Sequence, residues 1–236
     1  MLKPNCRVSL KKEDVDFISR CVGMKPGDVK GIMRLLDDEE HGQDIIDTLL
    51  DKEEVVDRMF EDPHSNNQEI FTESPAFFFY VSTRTVFKSI GITSKTAADY
   101  VASVLLEFRK HKRMYRVSDG DDREYMYLAD LVEAANKEEP FKRYLTITHL
   151  GHYSLFISGF FPESIERRTQ PEHWRNSPGL RYYEALGSSA FWLASQHRLA
   201  KQADLTETLA LLSNQFQLAR LALNDLSQNY FEMERA

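Results

Sequence analysis

An apolar repeat in the C-terminal part of the chain constrains its fold most strongly. Between Leu205 and Tyr230, mainly Leu, Phe and Ala side chains recur at alternating spacings of four and three residues. A period of about 3.5 residues over this length predicts one long helix seated in a groove between other helices. The stretch opens with Asp204-Leu-Thr-Glu207, the pattern of a capping box. Few charges flank the repeat, so the sequence permits two copies to pair through this helix without encoding it strongly.

Caps, prolines and apolar spacing divide the rest of the chain into helices as well. Ser74 precedes Pro75 as an N-cap would, and Ser9 and either Thr93 or Ser94 precede further apolar stripes of helical period. Including the repeat, we predict helices at about 10–22, 29–36, 52–60, 75–90, 95–113, 124–137, 140–160, 162 onward, 179–197 and 205–230. No stretch alternates apolar and polar residues between hairpin turns. The sequence therefore predicts an all-α, multi-helix, mostly antiparallel bundle of roughly eight to ten helices.

Charge is distributed unevenly along the chain. Between Asp37 and Asp62 there are twelve acidic residues and two basic ones, and a polar loop follows at 61–68. This change predicts a small acidic N-terminal helical module at 1–62, a linker at 63–73 and a main helical bundle at 74–236. The alternative is that the module forms the first layer of a single domain.

Composition excludes several classes of protein. The net charge of −7 disfavours nonspecific attraction to nucleic acid or to anionic membranes. No apolar run approaches the roughly 18–20 residues that span a bilayer, and the first residues lack the apolar core of a secretion signal. Cys6 and Cys21 do not form a disulfide framework, so we expect free thiols and a cytoplasmic location.

Residues 144–197 concentrate ten of the 27 aromatic residues and four of the seven histidines. His149 and His152 stand three apart, so on a helix they share a face and are candidate ligands of one metal ion. A metal site needs further ligands, and no Glu-x-x-His or His-Glu-x-x-His pattern on a helix supplies them. Without a third ligand, such a pair more often makes structural hydrogen bonds to a neighbouring helix.

Small residues in the same segments predict a close approach of two helices. Gly151 and Gly159 lie in the first, and Gly187-Ser-Ser-Ala190 lies in the second. The sequence leaves open whether aromatic rings, including Trp192, pack there as core or whether a ligand pocket lies between the helices. The candidate pocket residues are His149, His152, Tyr153, Arg181, Tyr182 and Tyr183.

A basic cluster, Arg109-Lys-His-Lys-Arg113, ends the predicted 95–113 helix. Cations at this end complement the helix dipole. Arg109, Lys112 and Arg113 are the candidate interaction residues, for a protein partner or for the acidic 37–62 region. Nucleic-acid binding through 109–116 would need a wider basic surface and more stacking aromatics.

The motifs of the main sequence-readable enzyme classes are absent. The chain has no phosphate loop, no dinucleotide-binding glycine pattern after a strand, no Gly-x-Ser-x-Gly elbow and no Cys-x-x-Cys pair. We therefore predict a non-enzymatic module for protein–protein interaction or regulation, with a protein partner or a second copy and no cofactor. The alternative is an enzyme with a small ligand or metal between the 149–160 and 180–192 helices. Nucleic-acid binding is a further alternative that the net charge disfavours.

Overall fold

The computed structural model describes residues 2–25, 31, 47–60, 74–118, 120–169 and 178–228, and they contain helices but no strand. The predicted all-α class is therefore confirmed. A 3-10 turn at Arg7–Ser9 precedes the α-helices of the described part. These are α1 (Lys12–Cys21), α2 (Glu53–Phe60), α3 (Pro75–Ser89), α4 (Lys95–Phe108), α5 (His111–Met114), α6 (Leu128–Lys137), α7 (Pro140–Phe160), α8 (Pro162–Thr169), α9 (Leu180–Ser195), α10 (Arg198–Gln202), α11 (Thr206–Asn214) and α12 (Phe216–Leu226). They exceed the expected number because the short helices α5 and α10 were not predicted as separate helices and because the last predicted helix is divided into α11 and α12.

Local sequence sets several of the helix boundaries as predicted. The side chains of Ser74 and Ser94 each accept a backbone N–H in the first turn of the following helix, at 3.2 Å. Gly23 and Gly91 follow α1 and α3 with φ of 67° and 87°. Glycine adopts this left-handed backbone without the steric cost of a side chain, so both helices can end there.

The first helix starts later than predicted. Ser9 belongs to the 3-10 turn, and α1 begins after Lys11. The carboxylate of Asp14 accepts the backbone N–H of Lys11 at 2.7 Å. The N-terminus of α1 is thus capped by an acidic side chain from its own first turn, where the helix dipole also favours a negative charge.

The predicted helix at 205–230 is not continuous. The backbone at Gln215, with φ −111° and ψ 25°, separates α11 from α12. Asp204 does not cap α11: it adopts φ 57° and ends α10, where the next N–H, of Leu205, bonds to Ala200 O at 2.9 Å. The apolar stripe is buried nevertheless, at Leu205, Leu209, Leu212, Phe216, Ala219, Leu223 and Leu226. Because the stripe packs within the chain, it is not exposed for pairing with a second copy.

Helix α7 packs against α6, α9 and α12. It runs antiparallel to α9, because Tyr144 meets His197 while Gly151, further along α7, meets Phe191. A Cβ built on Gly151 of α7 would lie 2.7 Å from the Phe191 ring of α9, and one built on Gly187 of α9 would lie 2.8 Å from Ser154 Cβ of α7. Contacts this short leave no room for a side chain at either glycine. The predicted close approach of the two helices is therefore present.

The N-terminal segments join the main bundle through buried charges. Asp47, whose side chain is fully buried, accepts hydrogen bonds from Tyr80 Oη at 2.7 Å and Arg84 Nη1 at 2.8 Å. Its other carboxylate oxygen lies 2.5 Å from Arg7 Nη2 and 3.1 Å from Lys95 Nζ. We call these five residues the Asp47 cluster. Through it, three separate segments of the chain meet at one carboxylate.

Two further buried carboxylates accept hydrogen bonds from backbone N–H groups and so join the N-terminal segments to the main bundle. Asp14 accepts the N–H of Ser74 at 2.6 Å, and Asp99 accepts the N–H of Cys6 at 2.9 Å and that of Arg7 at 3.3 Å. Burial raises the pKa of Asp99 to about 6, although these N–H donors act in the opposite direction. The described part of the 1–62 region is thus bonded to α3 and α4.

Several predictions concern residues outside the described ranges: the helix at 29–36, the loop at 61–68, the linker at 63–73 and the last residues of the C-terminal stripe. The boundary between the module and the bundle therefore stays a prediction. Within the described ranges, no helix has the length and apolar character needed to cross a membrane.

Candidate functional site

The two histidines of the candidate pocket are buried on one face of α7. His152 Nε2 lies 2.7 Å from the Tyr100 hydroxyl, and His149 Nε2 lies 3.0 Å from the carbonyl oxygen of Met114. Their exposed fractions are 6% and 4%. The Phe108 ring lies against both imidazoles, with centroids 6.5 and 5.6 Å away. Each histidine therefore has a hydrogen-bond partner within the protein. We call His149, His152 and Tyr100 the histidine cluster.

Burial keeps the histidine cluster uncharged at neutral pH. It lowers the pKa of His149 to about 4, with a contribution from the positive charge of Arg113. Burial also lowers the pKa of His152 well below its usual value, and it raises the pKa of the Tyr100 hydroxyl well above its usual value. Neutral imidazole can bind a metal ion, but the described residues contain no group of three or more His, Cys, Asp or Glu side chains placed to hold one.

The remaining pocket candidates separate into buried and exposed side chains. Tyr153 is buried and donates its hydroxyl hydrogen to Met126 O at 3.3 Å, and Tyr183 is also buried. Arg181 and Tyr182 point to solvent. The structure therefore brings His149, His152 and Tyr153 together along α7, and it places Arg181 and Tyr182 on the surface.

Aromatic rings fill the space where α7 and α9 cross. Phe191 packs against Gly151, and Phe216 packs against Gly187, where a Cβ would also lie 2.8 Å from Ser154 Cβ. These contacts correspond to the core interpretation of the crossing.

A cleft of about 210 Å³ opens at the other end of the same helix pair. Its walls combine apolar side chains with the ring of Tyr144, which stacks on His197 with centroids 4.8 Å apart. We call it the Tyr144 cleft; its lining residues are Glu138, Pro140, Arg143, Tyr144, Ile147, Leu193, Ala194 and His197. Sequence reasoning missed it because these residues come from separate elements and form no motif.

The outer surface of α9 carries an exposed apolar face. Trp192, Leu193 and Tyr182 are 53, 48 and 46% exposed. With 3.6 residues per turn, they share an arc of about 100° with other exposed residues of the helix. We call this arc the Trp192 face; its members are Tyr182, Ala185, Ser189, Trp192, Leu193 and Gln196. The expectation that Trp192 packs at the helix crossing is wrong, because the side of α9 that carries Gly187 and Phe191 faces α7 and Trp192 lies on the other side.

The basic cluster at 109–113 is partly neutralised by nearby carboxylates. Arg113 Nε lies 3.0 Å from Glu107 Oε2, and Arg116 binds Glu124 at 2.8 Å. Arg109 and Lys112 are exposed. In the part of the acidic 37–62 region that the structure describes, Asp47 is bound by the cations of its own cluster and Asp51 by Arg84 and Lys88, rather than by the 109–113 cluster.

The helix pair α7 and α9 therefore carries two surface features, the Trp192 face and the Tyr144 cleft, and Leu193 belongs to both. The buried histidines lie on the inner side of the same helix pair. No protein-family model, curated protein or solved structure matches this chain.

Proposed function

We propose that this protein is a non-enzymatic, cytoplasmic protein–protein interaction module that binds its partner through the Trp192 face. The observation that carries the proposal is the set of three large apolar side chains, Tyr182, Trp192 and Leu193, each about half exposed on one face of one helix. Single exposed apolar residues are ordinary, whereas a contiguous apolar patch is typical of an interaction site. Trp and Tyr are also the residues most enriched among binding hot spots.

Two features of the surroundings support this surface. Helix α9 is fixed on its inner side, where Ser188 Oγ donates to Ser213 O at 2.9 Å and Arg220 Nε donates to Glu184 Oε1 at 2.7 Å. A rigid helix presents its outer side chains with little ordering cost on binding. The cytoplasmic location is supported by the two free cysteines, of which Cys6 is buried.

Site-specific photo-crosslinking in cells that express the protein tests the proposal. A photoreactive phenylalanine placed at Ser189, within the Trp192 face, should give a discrete protein adduct. The matched control is the same group at Tyr127, which is 70% exposed on a different part of the surface. The substitution Trp192→Ala should abolish the adduct at position 189. Equal adducts from positions 189 and 127, or an adduct that survives Trp192→Ala, would rule out this face.

A further inference from the structure

The Trp192 face has an uncharged centre and cationic ends. From Tyr182 to Leu193 it extends for about 16 Å, or three helical turns. Arg181 is exposed at one end of the face. At the other end, Arg143 lines the Tyr144 cleft beside Leu193, and Arg198 follows α9.

These three arginines resemble other exposed cations of the described bundle, such as Arg123 and Lys201, and they differ from those in lying at the ends of the Trp192 face. Among the described residues, no hydrogen bond or ion pair joins the side chain of Arg143, Arg181 or Arg198 to a carboxylate. By contrast, Glu184, the only acidic residue of α9, lies off the face and is bound to Arg220 at 2.7 Å. The guanidinium groups at both ends are therefore available to an acidic partner.

The same charges argue against a second copy of this chain on the face. Antiparallel pairing would bring Arg181 of one copy to Arg198 of the other, and parallel pairing would set Arg181 against Arg181. Like charges brought together at an interface cost binding energy. Charge complementarity instead calls for carboxylates at both ends of the occupant.

The Tyr144 cleft limits the size of what enters it. Its volume of about 210 Å³ lies below the roughly 300 Å³ at which small-molecule pockets begin. Because Leu193 belongs to both the cleft wall and the face, one large side chain of a docked partner can enter the cleft while its neighbours cover Trp192. Anchor side chains in such pockets carry much of the binding energy of many interfaces.

We infer that the occupant of the Trp192 face is an amphipathic α-helix of a partner protein, with an apolar stripe flanked by acidic residues at both ends. The inference rests on the proposed function. A helix presents apolar anchors at i, i+3, i+4 and i+7, which matches a straight, uncharged face of three turns. Its end carboxylates would pair with Arg181 at one end and with Arg143 and Arg198 at the other.

Two synthetic helical peptides with the same apolar stripe test this inference. One carries Glu at both ends and the other carries Lys, and isothermal titration calorimetry on the full chain gives their affinities. We expect the Glu peptide to bind at least about tenfold tighter at low salt, with the difference shrinking as salt rises. Arg181→Glu/Arg198→Glu should reverse the preference, whereas the control Arg123→Glu, at an exposed position outside α9, should leave it unchanged.

The outcomes separate this inference from the proposed function. If the Glu and Lys peptides bind with equal affinity, and Trp192→Ala weakens both, the acidic-partner inference is overturned and the face remains a binding surface. Absence of binding by both peptides would overturn the inference, and it would also overturn the proposed function if photo-crosslinking at Ser189 failed. Trp174→Phe leaves Trp192 as the single tryptophan. A blue shift of its emission with phosphatidylserine vesicles, but not with peptide, would assign the face to a lipid surface instead.

Discussion

The Asp47 cluster and the histidine cluster are both buried and polar, but they meet the cost of burial differently. The first pairs a carboxylate with cations from three segments of the chain. The second keeps its groups neutral and joins them by single hydrogen bonds. A buried charge without a partner is far more costly than a buried neutral group that loses one hydrogen bond. The two regions should therefore respond differently to mutation and to pH.

The largest effect is expected from Asp47→Asn, which leaves the guanidinium groups of Arg7 and Arg84 facing a neutral amide. The free energy of unfolding, measured by urea denaturation, should fall by about 3–5 kcal/mol, as for other broken buried pairs. Asp51→Asn is the matched control, because that side chain is 38% exposed, and its loss should stay below about 1 kcal/mol. Similar losses in the two variants would contradict a special role for Asp47.

Acid should weaken the fold through the histidine cluster. The pKa of His149 is lowered to about 4 in the folded state, below the ordinary 6.5, so the neutral ring favours folding above pH 6.5 and this contribution is lost as pH falls toward 4. For His149 alone the loss is about 3 kcal/mol over that window. Urea unfolding at a series of pH values measures it. Gln does not titrate, so His149→Gln should make the curve shallower and leave the part that is due to His152. An unchanged curve would show that His149 is not a source of the acid sensitivity.

Tyr100→Phe should have a smaller effect than the change at Asp47. It leaves His152 Nε2 buried without its hydroxyl partner, at a cost of about 1–3 kcal/mol. Adding His152→Leu removes the orphaned polar group, so the double variant should lose less than the sum of the two single variants. A double-mutant cycle by urea denaturation tests this. Strict additivity of the changes in unfolding free energy would contradict a direct hydrogen bond between the Tyr100 hydroxyl and His152.

The smallest effect, with opposite sign, is expected at Asp99. Its pKa is raised to about 6 in the folded state, so its favourable contribution is present below the unfolded value of 3.8 and is lost as pH rises through 6. Asp99→Asn keeps an acceptor for the Cys6 and Arg7 N–H groups. The full shift corresponds to about 3 kcal/mol. Because the NH2 group of asparagine must also be buried, we expect the free energy of unfolding at pH 7 to rise by about 1 kcal/mol. Lower stability at pH 7 than in the parent protein would show that the ionised form is the favoured one.

Local signals in the sequence were enough for the helical class and for several boundaries. Ser74 and Ser94 cap their helices because an N-cap needs only a side-chain oxygen two or three residues before an orphan N–H. The stripe from Leu205 to Leu226 is buried as its period indicates. The break at Gln215 was not predictable in this way, because no proline or glycine marks it.

Features that join distant segments escaped prediction. Arg7 and Asp47 are 40 residues apart in sequence, and neither belongs to a motif. The orientation of Trp192 was missed for another reason. The prediction rested on the number of aromatic residues in the segment, and that number does not say which side of the helix each ring occupies. The signal existed in the small residues: Gly187, Ala190 and Ala194 fall on one side of α9, which allows close packing there and leaves Trp192 on the other side.

Helix α9 contributes core on one side and, as we propose, a partner surface on the other. Calorimetric affinity for the Glu-flanked peptide, compared between Trp192→Ala and Tyr100→Phe, tests it most directly. We predict at least a tenfold loss for Trp192→Ala with unchanged stability, on the order of 1.4 kcal/mol of binding energy. Tyr100→Phe should lower stability and leave the affinity unchanged. A loss of affinity in Tyr100→Phe, with full binding by Trp192→Ala, would contradict this division of α9 and place the binding site at the histidine cluster.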